Sequence, residues 1–171
     1  MDVLVIRHAI AQDRNEFAKA HPGEDDGART LTDKGRKRMR QAALGLRRIA
    51  PAVELLGSSP LARALQTADI VEACFNGVKR VIVPQLAADQ PVTALLKWLQ
   101  TQRPDSTIAL VGHEPQLSTF VGWTCTGLQE SFIRLKKGGA CLLRLKTDVK
   151  RGRAELLWLL APAQLRELGK S

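Results

Sequence analysis

Tyrosine is absent, and four Phe and three Trp are the only large aromatic side chains in 171 residues. So few stacking platforms argue against a single-strand nucleic-acid binder, and no nucleic-acid partner is expected despite the basic balance. Cysteine is scarce as well: Cys74, Cys125 and Cys141 are far apart, odd in number, and form no CxxC pair. The three histidines are equally dispersed. A zinc centre or a disulfide framework is therefore not expected, and the thiols read as free and buried. Long apolar runs are missing too. The longest, Leu156-Leu157-Trp158-Leu159-Leu160-Ala161, is far too short to cross a bilayer. Met1 is followed by Asp2 and a strand-like run, without the basic start and extended apolar core of a secretory leader. Cytoplasmic residence, with no membrane partner, is the expectation.

What is present is an ordinary globular composition, 44% hydrophobic and 25% charged, with 26 Lys+Arg against 17 Asp+Glu and a net charge of +9. The length suits one domain spanning 1–171. No repeat or low-complexity linker divides it. Short apolar runs alternate with helix-period segments, the pattern of an α/β layer fold. Strands are predicted at Val3–Ile6, Val53–Gly57, Arg80–Val83 and Thr107–Val111, and residues 9–30 as a polar surface loop. Helices are predicted from an N-cap at Thr32 toward Ile49, over Leu61–Phe75 and Pro91–Gln100, and after Pro115. The last third predicts strands at Ser131–Leu135, Gly139–Leu145 and Arg153–Leu160, then a short helix at Pro162–Leu168. The expected architecture is an open three-layer sandwich. It has a mainly parallel central sheet, helices on both faces, and antiparallel strands toward the C-terminus.

In open α/β sheets, ligands bind beyond the carboxyl ends of the strands. Three predicted ends carry polar groups: Arg7-His8, Ser58-Ser59 followed by Arg63, and Gly112-His113. Two guanidiniums and two imidazoles on one rim suit a small, highly charged anion. Arg presents a planar fork of donors matched to phosphate oxygens, and a neutral imidazole can attack phosphorus. Phosphoryl transfer needs positioning and charge stabilisation above all, which such a cage supplies without a metal or other cofactor. Taken singly these residues have ordinary readings. A His after a strand is more often structural, Arg63 is a helix-surface cation, and Arg36-Lys37-Arg38 is a solvated helix face. His21, in the polar loop, has no feature that favours function. Ser58-Ser59 lacks a GxSxG elbow, and Pro60 indicates a turn at a helix entry.

The ordered set carries more weight. Arg7-His8-Ala9, Leu31-Thr32-x-x-Gly35, Ser58-Ser59-Pro60-x-x-Arg63-Ala64-x-Gln66-Thr67 and Val111-Gly112-His113-Glu114-Pro115 occur in one chain. This resembles the histidine phosphatase superfamily, and most of all its SixA branch of phosphohistidine phosphatases, from residue 3 to about residue 123. The resemblance implies His8 as the phosphorylated nucleophile, with Arg7, Arg63 and His113 as ligands of the transferred group. It implies a pocket-holding role for Ser58, and structural roles for Thr32 and Gly35. Ala9 stands where the family has Gly, a change that Ala permits if φ is negative there. No counterpart of the family's acidic proton donor is assigned. Glu114, directly after His113, is the candidate, with Asp13 and Glu16 in the loop after the nucleophile.

The leading expectation is thus a metal-independent phosphatase acting on phosphohistidine in a protein. An alkoxide leaving group gains typically about 10²–10⁴-fold from a placed acid, whereas an imidazole leaves more readily. The alternative is a hydrolase of a small phosphoester, a sugar phosphate or nucleotide, with Glu114 or a loop carboxylate as acid. A mutase fits less well, because it must exclude water, and a phosphate-binding module without turnover is opposed by the intact His8. The oligomeric state is not legible.

Overall fold

Val3 to Ile6 is a run of four aliphatic residues with no polar face, and such a strand must be covered on both sides. The computed structural model describes residues 1–50, 52–146 and 149–170 and shows how this is done. Strand β1 (Asp2–Arg7) lies inside a six-stranded sheet with β2 (Leu55–Ser58), β3 (Lys79–Ile82), β4 (Thr107–Gly112), β5 (Ala140–Arg144) and β6 (Glu155–Leu160), ordered β3-β2-β4-β1-β5-β6. The first four strands run parallel; β5 pairs antiparallel with β1, and β6 with β5. The sheet is therefore mainly parallel with an antiparallel C-terminal side, as the pattern predicts.

Strand alternation divides the core in two. Leu4 and Ile6 enter one cluster with Met39, Ala43 and Leu46 of α2 (Asp33–Ile49), Ala64 and Ala68 of α3 (Ala62–Glu72), and Leu165 of α6 (Pro162–Leu168). Val3 and Val5 enter the other, with Leu95 and Leu99 of α4 (Val92–Gln100) and Leu117 and Phe120 of α5 (Gln116–Thr126). Three layers result. Among the described residues no helix is long and apolar enough to cross a membrane. The cysteines are free, but only Cys141 is buried; Cys74 and Cys125 are half-buried at the margins of the two clusters. Burial pushes the Cys141 thiol up to about 12.

Two expectations are corrected. Residues 9–30 are not a plain loop: they contain helix α1 (Arg14–Ala20) and a 3-10 turn at Asp26–Ala28. Asp13 caps α1 by accepting from the Asn15 and Glu16 amides, and Phe17 anchors it in the interior. Ser131–Leu135 forms no strand. Both edges of β5, the strand that follows it in the chain, are taken by β1 and β6, so the segment cannot form a hairpin with β5. It follows α5 so closely that a Cβ on Gly122 would lie 1.8 Å from the Glu130 carbonyl oxygen.

The Leu31-Thr32-x-x-Gly35 motif has a mechanical role. Thr32 Oγ1 accepts from the Gly35 amide at 3.0 Å, capping α2, while the Thr32 amide donates to the Ile10 carbonyl at 3.0 Å. Gly35 lets that carbonyl approach, since a Cβ there would stand 2.0 Å from the oxygen. The first turn of α2 is thus seated on the chain that follows His8. Gly35→Ala is expected to lower stability by about 1–3 kcal/mol through this clash, less the helix-propensity gain of roughly 1 kcal/mol. A calorimetric melting temperature equal to or above that of the parent protein would contradict it.

Candidate active site

The sheet register builds the site. Arg7 stands opposite Gly112 in the β1–β4 ladder, and Ser58 opposite Val111 in the β2–β4 ladder. The pairing continues one residue further on each side, with His8 N–H on the Gly112 carbonyl at 3.0 Å and Ser59 N–H on the Val111 carbonyl at 2.9 Å. The residues after these three strand ends are consequently neighbours. The His8 and His113 rings lie 5.0 Å apart between centroids, tilted by 50°. Arg63 arrives from the first turn of α3. Arg7, His8, Arg63 and His113 line one pocket of about 260 Å³, with Asp13, Arg29, Glu114 and Lys137 also in its lining.

The sites of the protons follow from the hydrogen bonds. His8 Nδ1 is 2.7 Å from the Ala9 carbonyl, which can only accept, so Nδ1 carries the proton and Nε2 keeps its lone pair. His113 Nε2 is 2.8 Å from Ser59 Oγ, and that oxygen also accepts from the Leu61 amide at 3.4 Å. Giving the Ser59 hydroxyl proton to Nε2 satisfies that hydroxyl as donor and acceptor alike, and this assignment places the His113 proton on Nδ1. Among the described residues Nδ1 has no partner, and neither have Arg7 Nε and Arg63 Nε, although all three are buried. An unmade buried hydrogen bond costs about 1–3 kcal/mol. All three belong to residues that line the pocket, which suits it to an acceptor-rich ligand.

Burial holds His8 down to about 3, with the neighbouring His113, Arg63 and Arg7 adding to the effect against the Ala9 hydrogen bond. Burial likewise holds His113 down to about 3, assisted by Arg63 and Arg7. Both imidazoles are neutral at pH 7. The guanidiniums keep their charge but are partly committed. Arg7 Nη1 donates to the Leu135 carbonyl at 2.8 Å, and Arg63 Nη1 to the Asp26 carbonyl at 2.9 Å. Asp26 also places a carboxylate oxygen 3.3 Å from Arg63 Nη2, 2.7 Å from Arg29 Nε and 3.1 Å from Arg14 Nε. Arg29 above all holds the Asp26 carboxyl below its ordinary range.

Several candidate residues have other duties. Ser58 is fully buried with its hydroxyl on the Ser59 carbonyl at 3.0 Å, and it does not line the pocket. The hydroxyl that reaches the site belongs to Ser59, which the sequence offers no reason to prefer. Glu114 lines the pocket, yet its two oxygens accept from the Ser118 amide at 3.1 Å and hydroxyl at 2.5 Å at the start of α5. Asp13 caps α1, and the Glu16 and Asn15 amides hold its carboxyl below the ordinary range. Glu16 is exposed and off the pocket wall, and His21 stacks on Phe17 at 4.5 Å. Ala9 has no positive φ, as its substitution for Gly requires. Its amide donates to Thr67 Oγ1 at 3.0 Å, and that hydroxyl donates to the Arg63 carbonyl at 2.7 Å, tying the chain after His8 to α3. Asp26, Arg29 and Lys137 went unnoticed in the sequence, because no periodicity or spacing relates them to the four central residues.

The family model described as the histidine phosphatase superfamily (branch 1) matches residues 3–88. An uncharacterized protein of Picosynechococcus sp. (strain ATCC 27264 / PCC 7002 / PR-6) is 35% identical over 146 residues, 84% of this chain and 85% of that one. The fold is similar to that of the protein histidine phosphatase SixA solved with tungstate, at a TM-score of 0.81 and 23% identity over 96% of this chain and 99% of that one. It is also similar to the α-ribazole phosphatase of Shigella flexneri, at a TM-score of 0.72 and 18% identity over 95% and 97% of the two chains.

Because His8 and His113 bind protons less readily folded, at about 3, than unfolded, at about 6.5, the unfolded chain takes up more protons between those values. Stability therefore falls as pH is lowered through that window. In ¹H–¹⁵N spectra, both imidazoles should remain neutral from pH 7 to pH 5, and His8→Gln should flatten the acid limb of the melting-temperature profile. An imidazole of His8 that titrates near 6.5 would contradict this electrostatic account.

Proposed function

The chain belongs to branch 1 of the histidine phosphatase superfamily, and from that premise we propose that it removes the phosphoryl group from phosphohistidine on a protein by way of phospho-His8. The observation that carries the reading is the neutral His8 ring, with Nδ1–H spent on its own Ala9 carbonyl and Nε2 left as a nucleophile within the Arg7–Arg63–His113 cage. The SixA structure of similar fold was solved with tungstate, a tetrahedral oxyanion of the kind this cage suits.

In the first step, His8 Nε2 forms a bond to phosphorus as the bond from phosphorus to the substrate imidazole breaks. The departing nitrogen takes its proton from solvent. Arg7, Arg63 and the His113 Nδ1–H hold the three equatorial oxygens while charge spreads over them. In the second step, a water oxygen attacks the phosphoryl group, the His8–phosphorus bond breaks, and inorganic phosphate leaves with the water's proton passing to solvent.

The carboxylates favour a phosphoramidate over a phosphoester. Asp13 and Glu114 reach the wall, but both serve as acceptors for donors at the starts of their own helices. A phosphoester reaction needs a carboxyl that donates. An imidazole leaving group has no such requirement.

Acid-quenched enzyme exposed to a labelled phosphoryl donor should carry an acid-labile, base-stable label on His8, and His8→Ala should lose both label and turnover. Stable label on Ser58 or Ser59 would refute the assignment. Arg7→Ala and Arg63→Ala should each lower kcat about 10²–10³-fold, as loss of one positioned donor does elsewhere. Rates should be unaffected by EDTA. Glu114→Gln should leave hydrolysis of a phosphohistidine protein nearly unchanged; a collapse of activity would favour the small-phosphoester reaction with Glu114 as acid.

A further inference from the structure

Sharing Lys137 with the catalytic pocket is a second, small cavity of about 50 Å³, whose lining includes Ala9, Met39, Ala42 and Pro162. Its charged lining residues are Arg38 of α2, Lys137 and Arg166 of α6, and no carboxylate is among its walls. Among the described residues none of these three cations makes a hydrogen bond or an ion pair. Lys137 also lines the catalytic pocket and is the residue common to the two linings. Arg38 belongs to the basic run that the sequence presents as a plain solvated helix face.

The turn that carries Lys137 is fixed to the catalytic strand. The Gly138 amide is shared by the carbonyls of Arg7 and His8 at 3.1 Å each, and the Arg7 amide returns to the Gly139 carbonyl at 3.1 Å. Arg7 Nη1 grips the Leu135 carbonyl on the near side of the same turn. Gly138 accepts this clamp at φ +75°, a left-handed conformation that glycine adopts without a steric cost. Lys137 is therefore held at a set place at the pocket mouth. On the catalytic side it faces Arg7, Arg29 and Arg63, opposed by Asp13, and burial and those guanidiniums lower its pKa. Like charges gathered round a concavity whose lining holds no carboxylate generate a local potential that attracts an anion.

We infer that Lys137, Arg38 and Arg166 form a second anion subsite, which takes an acidic side chain of the protein substrate next to the phosphorylated residue. The inference rests on the proposed phosphatase reading and adds to it a preference for acidic sequence around the target. The net charge of +9 acts in the same direction at longer range.

The test compares hydrolysis of two phosphohistidine peptides that differ only in flanking glutamates or glutamines, by the parent enzyme and by the Arg38→Gln/Arg166→Gln variant. The parent should prefer the glutamate peptide by about five- to tenfold in kcat/KM, expressed in KM and diminishing with salt, as expected for exposed ion pairs. The variant should lose that preference and keep kcat. The readout is a ratio within one enzyme, so partial misfolding of the variant cancels. Equal kcat/KM for the two peptides in the parent, or a preference that survives in the variant, overturns the subsite. Failure of the parent to hydrolyse either peptide counts against the phosphohistidine reading instead. In that case inorganic phosphate followed by amide shifts decides the subsite: shifts at Gly35 and Met39 that vanish in the variant uphold it, and their absence in the parent overturns it.

Discussion

The parallel pairing of β1 with β4 is the constraint from which the site follows. It sets Arg7 against Gly112 and, one step on, locks the His8 amide to the Gly112 carbonyl. Two imidazoles more than a hundred residues apart in sequence thereby face each other across 5.0 Å. A shift of one residue in either strand would turn the polar strand ends toward opposite faces of the sheet. The aliphatic run Val3–Ile6 makes that shift costly, because it would exchange the side chains committed to the two core clusters.

Around this pairing the surrounding chain acts as a set of clamps on the residues after His8. Thr32 and Gly35 hold Ile10, Thr67 holds Ala9, and Gly138 holds the carbonyls of Arg7 and His8. Such support matters because the cage has little tolerance for displacement: positioned donors are effective over a few tenths of an ångström. Both rings are buried, and desolvation is the first cause holding the two histidines neutral beside two arginines. Nucleophilicity and positive surroundings are compatible here only because the imidazoles are buried.

Asp26 moderates the charge. A single carboxylate contacts Arg14, Arg29 and Arg63, and it offsets part of the repulsion among them while leaving Arg63 Nε unpartnered. Lys137 has no such contact among the described residues, and Asp13 opposes the guanidiniums around it. The site thus has an inner region, where one carboxylate partly offsets the guanidiniums, and a neighbouring one whose lining holds cations and no carboxylate.

Local pattern alone was sufficient for the layer architecture and for placing Arg7, His8, Arg63 and His113 near one rim of the sheet; singling those four out took the ordered set of motifs. Strand period, caps and the residues at strand ends are all short-range features, and each of the four sits directly on one of them. The same short-range reading failed where the outcome depended on what lay alongside. Ser131–Leu135 has strand-like composition, but both edges of β5 were already occupied. Residues 9–30 are polar, yet Asp13 and Phe17 suffice to wind a helix once Phe17 has an interior to enter. Of two adjacent serines, the ladder buries Ser58 and turns Ser59 toward His113. Asp26, Arg29 and Lys137 owe their places to contacts between segments that no sequence interval encodes. Sequence by itself determined which chemical groups are available at the strand ends; tertiary packing decided their protonation, their partners and the charge left over, because those depend on burial and on neighbours distant in the chain.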